Sequence, residues 1–259
     1  MRPYQRIRVA RRDGVETITL AYPQRRNAIG PRMMNELLWA LEDARAADEV
    51  RSIVLTGEGS TFCASGDFAE MTSGTTESEL PRRGDFSDLL LALCKSDKPV
   101  IARVNGDALG GGLGLTAAST FAVAVSGARL GTPEIHVGLF PMTIMAVLAR
   151  YVPRRRLLEM ALHGEKLGAD EALRLGLLNR VVEPGELDAE VKKITDSIAA
   201  KSPVTVRLGL RAFAAQDGME LERAVPMLRD RLAECLATAD AREGLLAFLE
   251  KRPPRWTGR

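Results

Sequence analysis

The sequence predicts an α/β fold with parallel strands and an all-helical tail. Three observations carry this. Segments with apolar residues at helical spacing alternate with short apolar runs between Pro31 and Val125, two Gly-containing segments each follow a strand-like run, and from about Asp188 onward the chain reads as helix after helix.

Taken in order, Ile7, Val9, Val15, Ile18 and Leu20 flank Asp13-Gly14 and predict a β-hairpin. Pro31 to Ala46 then shows helical spacing, and Ser52 to Leu55 begins a short buried strand ending at Thr56-Gly57. The unit recurs, with Phe86 to Cys94 as helix and Pro99 to Val104 and Phe121 to Val125 as strands. Met71 to Gly84, with Ser-Gly-Thr-Thr and Pro81, reads as a polar loop, either a mobile lid or a connector. In the tail, Ser202-Pro203 is a cap and first-turn pair, and Asp240 with Glu243 is expected to open the last helix as a capping box. Its apolar faces need a partner surface, and another subunit is one solution.

Composition narrows the function. Over 259 residues, 46% are hydrophobic and 27% charged, with a net charge of +2, which is ordinary globular make-up and too small a charge to imply a nucleic-acid partner, so none is expected. Arg82-Arg83 and Arg154-Arg155-Arg156 read as solvated faces. Cys63, Cys94 and Cys235 are odd in number and widely spaced, which fits neither a disulfide framework nor a zinc site and points to a reducing, cytoplasmic setting. The longest apolar run, Leu139 to Leu148, is short of the roughly twenty residues of a membrane span. The N-terminus lacks the apolar stretch of a secretory signal, so no membrane association is expected.

The chemistry lies in Phe62-Cys63-Ala64-Ser65-Gly66-Asp67-Phe68 and in Asn105 to Leu115, which contains Gly110-Gly111-Gly112 and Gly114. Glycine lets a ligand approach peptide N–H groups, and a helix start leaves such donors unpaired and slightly positive, which suits an oxyanion. Neither segment is a phosphate P-loop, a dinucleotide fingerprint or a nucleophile elbow.

These motifs occur in order with Arg26-Asn27-Ala28, Lys98-Pro99-Val100-Ile101-Ala102, Pro133-Glu134-Ile135, Glu171-Ala172-Leu173, Gly176-Leu177 and Ala247-Phe248-Leu249-Glu250-Lys251-Arg252. Over nearly its whole length the chain resembles the crotonase superfamily, the enoyl-CoA hydratase/isomerase family. The resemblance implies a spiral of ββα units over residues 1–200, which hold the acyl-CoA site. It also implies a helical trimerisation region over 201–259 and a homotrimer or a hexamer of two trimers. It assigns the N–H groups of Gly66 and Gly111 to an oxyanion hole for the thioester oxygen, Glu134 to the acid/base, and no cofactor, the CoA being part of the substrate. Arg25, Ala28, Ala64, Gly66, Asp67, Phe68, Gly110, Gly111, Pro133 and Met142 are the implied substrate contacts. Ala69 stands where the family often has a basic residue, so phosphate contacts are sought elsewhere, with Lys251 or Arg252 as candidates.

The pattern breaks in two places. Hydratases of the family carry a second glutamate three residues after the middle glycine, on the same helix face; here that position is Gly114. A single carboxylate suffices to move a double bond, whereas hydration is served by a pair, so the site favours isomerisation. A hydratase would need Asp67, Glu70, Glu77 or Glu79 as the second acid, and a non-catalytic acyl-CoA-binding or RNA-binding protein on the same scaffold is the reading from a different class. The second break is Gly138 to Met145, where Phe140, Met142 and Met145 replace a Gly-rich run and predict a bulkier acyl pocket. His136 is expected to share a strand face with Glu134 if that segment is extended, and His163 to lie in a loop; two histidines and no clustered cysteines lend a metal site little support.

Overall fold

A computed structural model describes residues 2–73 and 80–259. Strands β1 (Ile7–Arg12) and β2 (Val15–Leu20) pair antiparallel across Asp13-Gly14, and both turn residues take positive φ. Helix α1 (Pro31–Ala46) opens with proline at its first position, where the missing N–H costs nothing.

From β3 onward the chain winds in repeated units of two strands and helix. The first unit is β3 (Ser52–Gly57) and β4 (Thr61–Cys63), followed by α2 (Phe68–Ser73) and α3 (Phe86–Cys94). The second is β5 (Val100–Val104), β6 (Asp107–Leu109) and α4 (Gly111–Ala118); the third is β7 (Phe121–Val125), β8 (Arg129–Gly131), then α5 (Met142–Leu148) and α6 (Arg154–His163). The first strand of each unit joins a six-stranded sheet and the second a four-stranded one. β9 (Lys166–Gly168) completes the small sheet, and after α7 (Ala169–Arg174) strand β10 (Arg180–Val182) completes the large one, in the order β1-β2-β3-β5-β7-β10. Every pairing from β2 to β10 in the large sheet is parallel, as crossover connections require.

The corner between the strands of a unit has a chemical cause. Asn105 Oδ1 accepts from the Gly57 N–H at 3.0 Å and its Nδ2 donates to the Gly59 carbonyl at 2.8 Å, so one amide ties successive turns of the spiral together. Ile18, Ile53, Ile101 and Val123 are fully buried in the core. Helices α8 (Leu187–Ala199), α9 (Pro203–Gln216), α10 (Leu221–Leu236) and α11 (Ala239–Leu249) follow.

Four expectations change. Met71 to Ser73 close helix α2 rather than open a loop, and 74–79 lie outside the described residues, as do Glu77 and Glu79. Helix α11 is capped by Thr238, whose Oγ1 accepts from the Ala241 N–H; Asp240 is instead fully buried and accepts from Ser202 Oγ at 2.7 Å and Thr257 N at 2.7 Å. A carboxylate with those donors is worth more inside than at a helix end. His163 is the last residue of α6, not a loop residue. His136 lies in a 3-10 turn, Pro133–Val137, so it shares no strand face with Glu134 and packs against Gly164 instead.

Candidate active site

The two Gly-containing segments meet where the small sheet feeds its helices. Gly66 forms a parallel bridge with Ile29, in which Ile29 N donates to Ser65 O and Asp67 N donates to Ile29 O, both at 2.9 Å. In such a bridge the residue between the two bonds turns its own N–H to the opposite side, so the Gly66 donor faces away from Ile29. Gly111 is the first residue of α4, where an N–H has no intrahelical acceptor and carries the positive end of the helix dipole. Among the described residues, neither N–H enters a backbone hydrogen bond.

Close packing puts the segments side by side. A Cβ at Gly112 would collide with the Cys63 carbonyl, and one at Gly110 would lie 2.9 Å from Glu134 Oε1 and 3.7 Å from Ser65 Cα. Gly110 thus sits between the Ser65-Gly66 backbone and the Glu134 carboxylate. Its φ of 53° with ψ of −120° is open to glycine alone, and it turns the peptide that carries the Gly111 N–H.

Glu134 is held in the 3-10 turn that follows β8. Burial pushes its carboxyl above the ordinary range, partly offset by its own backbone N–H, and no cation contributes. Its Oε2 is buried and, among the described residues, has no hydrogen-bond partner. A half-buried carboxyl with no cation beside it, set against Gly110 and with Oε2 unpartnered among the described residues, can take up and release a proton.

The Arg26-Asn27-Ala28 motif shapes the approach to this centre. Asn27, fully buried at φ 55°, accepts from Tyr22 N at 3.0 Å and donates to Glu58 O at 2.9 Å and Thr61 O at 2.8 Å. Ala64 N donates to Arg26 O at 3.0 Å, which brings Ala28 and Ala64 onto one edge with exposed Arg25 beside them. Phe68 begins α2, Pro133 begins the turn of Glu134, and Met142 begins α5 with most of its side chain exposed.

The two alternative acids among the described residues, Asp67 and Glu70, are engaged elsewhere. Asp67 caps α2, its Oδ1 accepting from Glu70 N at 3.1 Å, and the Glu70 carboxylate is seated against Gly30 at the start of α1. Arg252 is bound to Glu243 and Glu250 within its own chain. Ile29 and Phe86 both reach the Gly111 position, where their side-chain carbons would lie 3.4 Å from an added Cβ. Sequence reasoning missed them: Phe86 opens a helix and Ile29 precedes one, and nothing in their neighbours marks them as lining a site. Among the described residues no cluster of three His, Cys, Asp or Glu side chains could hold a metal, and no helix is long and apolar enough to cross a membrane.

Comparison with known proteins gives the family. The enoyl-CoA hydratase/isomerase family profile matches residues 10–259. The chain is 34% identical over 254 residues to a crotonyl-CoA hydratase of Syntrophomonas wolfei, covering 96% of each protein. It is 35% identical over 246 residues to the human mitochondrial enoyl-CoA hydratase domain-containing protein 3, covering 95% of this chain and 81% of that one. A crystal structure of an enoyl-CoA hydratase from Mycobacterium smegmatis superposes with a TM-score of 0.91 at 36% identity, over 97% of this chain and 99% of that one. The fold is crotonase-like, an α/β spiral with C-terminal helices. The chain belongs to the enoyl-CoA hydratase/isomerase family of the crotonase superfamily.

Proposed function

We propose that this acyl-CoA enzyme shifts a carbon–carbon double bond through a thioester enolate, with Glu134 as its single acid/base. The observation that carries the reading is the half-buried Glu134 carboxyl beside Gly110, its Oε2 unpartnered among the described residues, with glycine at 114 in place of a second acid. In a 3-enoyl-CoA, Glu134 takes a proton from C2, the electrons move towards the thioester oxygen held by the Gly66 and Gly111 N–H groups, and the same carboxyl returns the proton at C4. Atoms and electrons balance without a cofactor. Each preorganised donor to the developing oxyanion is worth on the order of 3 kcal/mol.

Arg25, Ala28, Ala64, Asp67 and Phe68 would line the CoA path, and Pro133 and Met142 the acyl side. Free cysteines fit a reducing, cytoplasmic setting. Helices α10 and α11 expose Leu221, Leu232, Leu245, Phe248 and Leu249, the last two at 82% and 75%, more apolar surface than a monomer ordinarily leaves in water. A homotrimer or a dimer of trimers accounts for it; sedimentation of the purified chain as a monomer at micromolar concentration would contradict this.

Hydration is the second reading, favoured by the relative named a crotonyl-CoA hydratase. Incubation with 2-enoyl- and 3-enoyl-CoA in deuterated water, followed by mass spectrometry, separates the two. Double-bond migration with no gain of water supports the isomerase; addition of water to the 2-enoyl substrate overturns it.

A further inference from the structure

The two places where the family pattern breaks meet in space. A Cβ added at Gly114 would lie 2.5 Å from Ile144 Cγ2, 3.4 Å from Ile144 Cβ and 3.5 Å from Leu90 Cδ2. Ile144 is 3% exposed and Leu90 4%, so the position is sealed by side chains already packed in the core. Ile144 branches at Cβ and sits in helix α5, where one χ1 rotamer dominates. Withdrawing its methyl would take the side chain out of that rotamer and force its packed neighbours to move.

This sealed position belongs to the groove of the site. On α3, Phe86 touches the position of Gly111 and Leu90, one turn further on, touches that of Gly114. The two helices run together, and Gly111 and Gly114 look into the same groove one turn apart. Helix α5, which closes that groove, begins eight residues after Glu134.

We infer that Ile144 is a specificity-determining residue: it occupies the volume that a second carboxylate at position 114 would need, and so holds the site to one acid. Gly114 and Ile144 are then one exchange of size rather than two independent departures. The inference rests on the single-acid reading above and explains how the fold enforces it. It also accounts for Gly114 in mid-helix, where glycine is otherwise unfavourable relative to alanine.

The test is a cycle of Gly114→Ala, Ile144→Ala and the double variant, read by thermal unfolding. In an open helix Gly→Ala raises the melting temperature. Here Gly114→Ala is expected to lower it in the wild-type background and to raise it in the Ile144→Ala background. The paired activity measurement compares Gly114→Glu with Gly114→Glu/Ile144→Ala on a 2-enoyl-CoA; the double variant is expected to hydrate at least about tenfold faster than either wild type or Gly114→Glu. A Gly114→Ala that stabilises both backgrounds overturns the inference, as does a Gly114→Glu that hydrates as well as the double variant. A folded double variant that gains no hydration also overturns it. Wild-type protein that hydrates would sink the single-acid reading instead, while the sign of the melting-temperature cycle would still report on Ile144.

Discussion

Glu134→Gln is expected to lower turnover of an enoyl-CoA by about 10²- to 10⁴-fold, because the amide keeps the shape of the side chain and loses the ability to carry a proton. Substrate affinity should change little, since neither proposed oxyanion donor belongs to Glu134. The substitution should also leave the protein as stable at neutral pH, or more so. Burial raises the Glu134 pKa in the folded chain, so the folded state binds the proton more tightly than the unfolded one. Stability is therefore full below the unfolded pKa, falls as pH rises from there towards the folded pKa, and stays reduced above it. Glutamine removes that penalty at pH 7 and removes nothing in acid. In the wild type, turnover should fall with decreasing pH through a pKa above the ordinary carboxylate range, since the ionised form takes the first proton. A loss in both stability and turnover that is independent of pH would mean that Glu134 is a structural residue.

The elements that were legible in the sequence are those whose signal is local. The Asp13-Gly14 hairpin, helices Pro31–Ala46 and Phe86–Cys94 and strand Phe121–Val125 follow from turn chemistry and apolar period, and each lies where expected. The small sheet was not legible as a sheet. Its strands β4, β6, β8 and β9 are three residues long, too short for a period, and they form because the spiral stacks them. Glu134 was legible as a residue but its backbone was not: the sequence allowed an extended segment, whereas proline at the first position and Gly138 at φ 76° close a 3-10 turn. Asp240 misled because a Thr238 cap and an Asp240 cap look alike until the C-terminal segment folds back to supply donors from Thr257 and Gly258. The Gly114–Ile144 contact is tertiary, thirty residues apart in sequence. The two departures were visible in the chain, but their meeting was not.

Gly110→Ala is the other substitution with a large expected effect, and it acts on both halves of the site at once. At φ 53° and ψ −120° an L side chain is strained by about 1–3 kcal/mol, and the backbone relieves this by rotating the peptide between residues 110 and 111. That rotation withdraws the Gly111 N–H from the position proposed for the thioester oxygen. The added Cβ, 2.9 Å from Glu134 Oε1, meets the free end of a flexible side chain, so the carboxylate moves and the helix does not. Loss of one oxyanion donor alone is worth about 10²- to 10³-fold in kcat, and displacement of the base adds to it. The expected result is a fall in kcat of at least about 10²-fold, with CoA affinity and the secondary structure retained. Exchange of the C2 proton of a saturated acyl-CoA with deuterated water isolates the enolate-forming step, and it should fall in parallel. If exchange persists at the wild-type rate in Gly110→Ala, the oxyanion is held by donors other than Gly111, and the catalytic centre lies elsewhere in the groove.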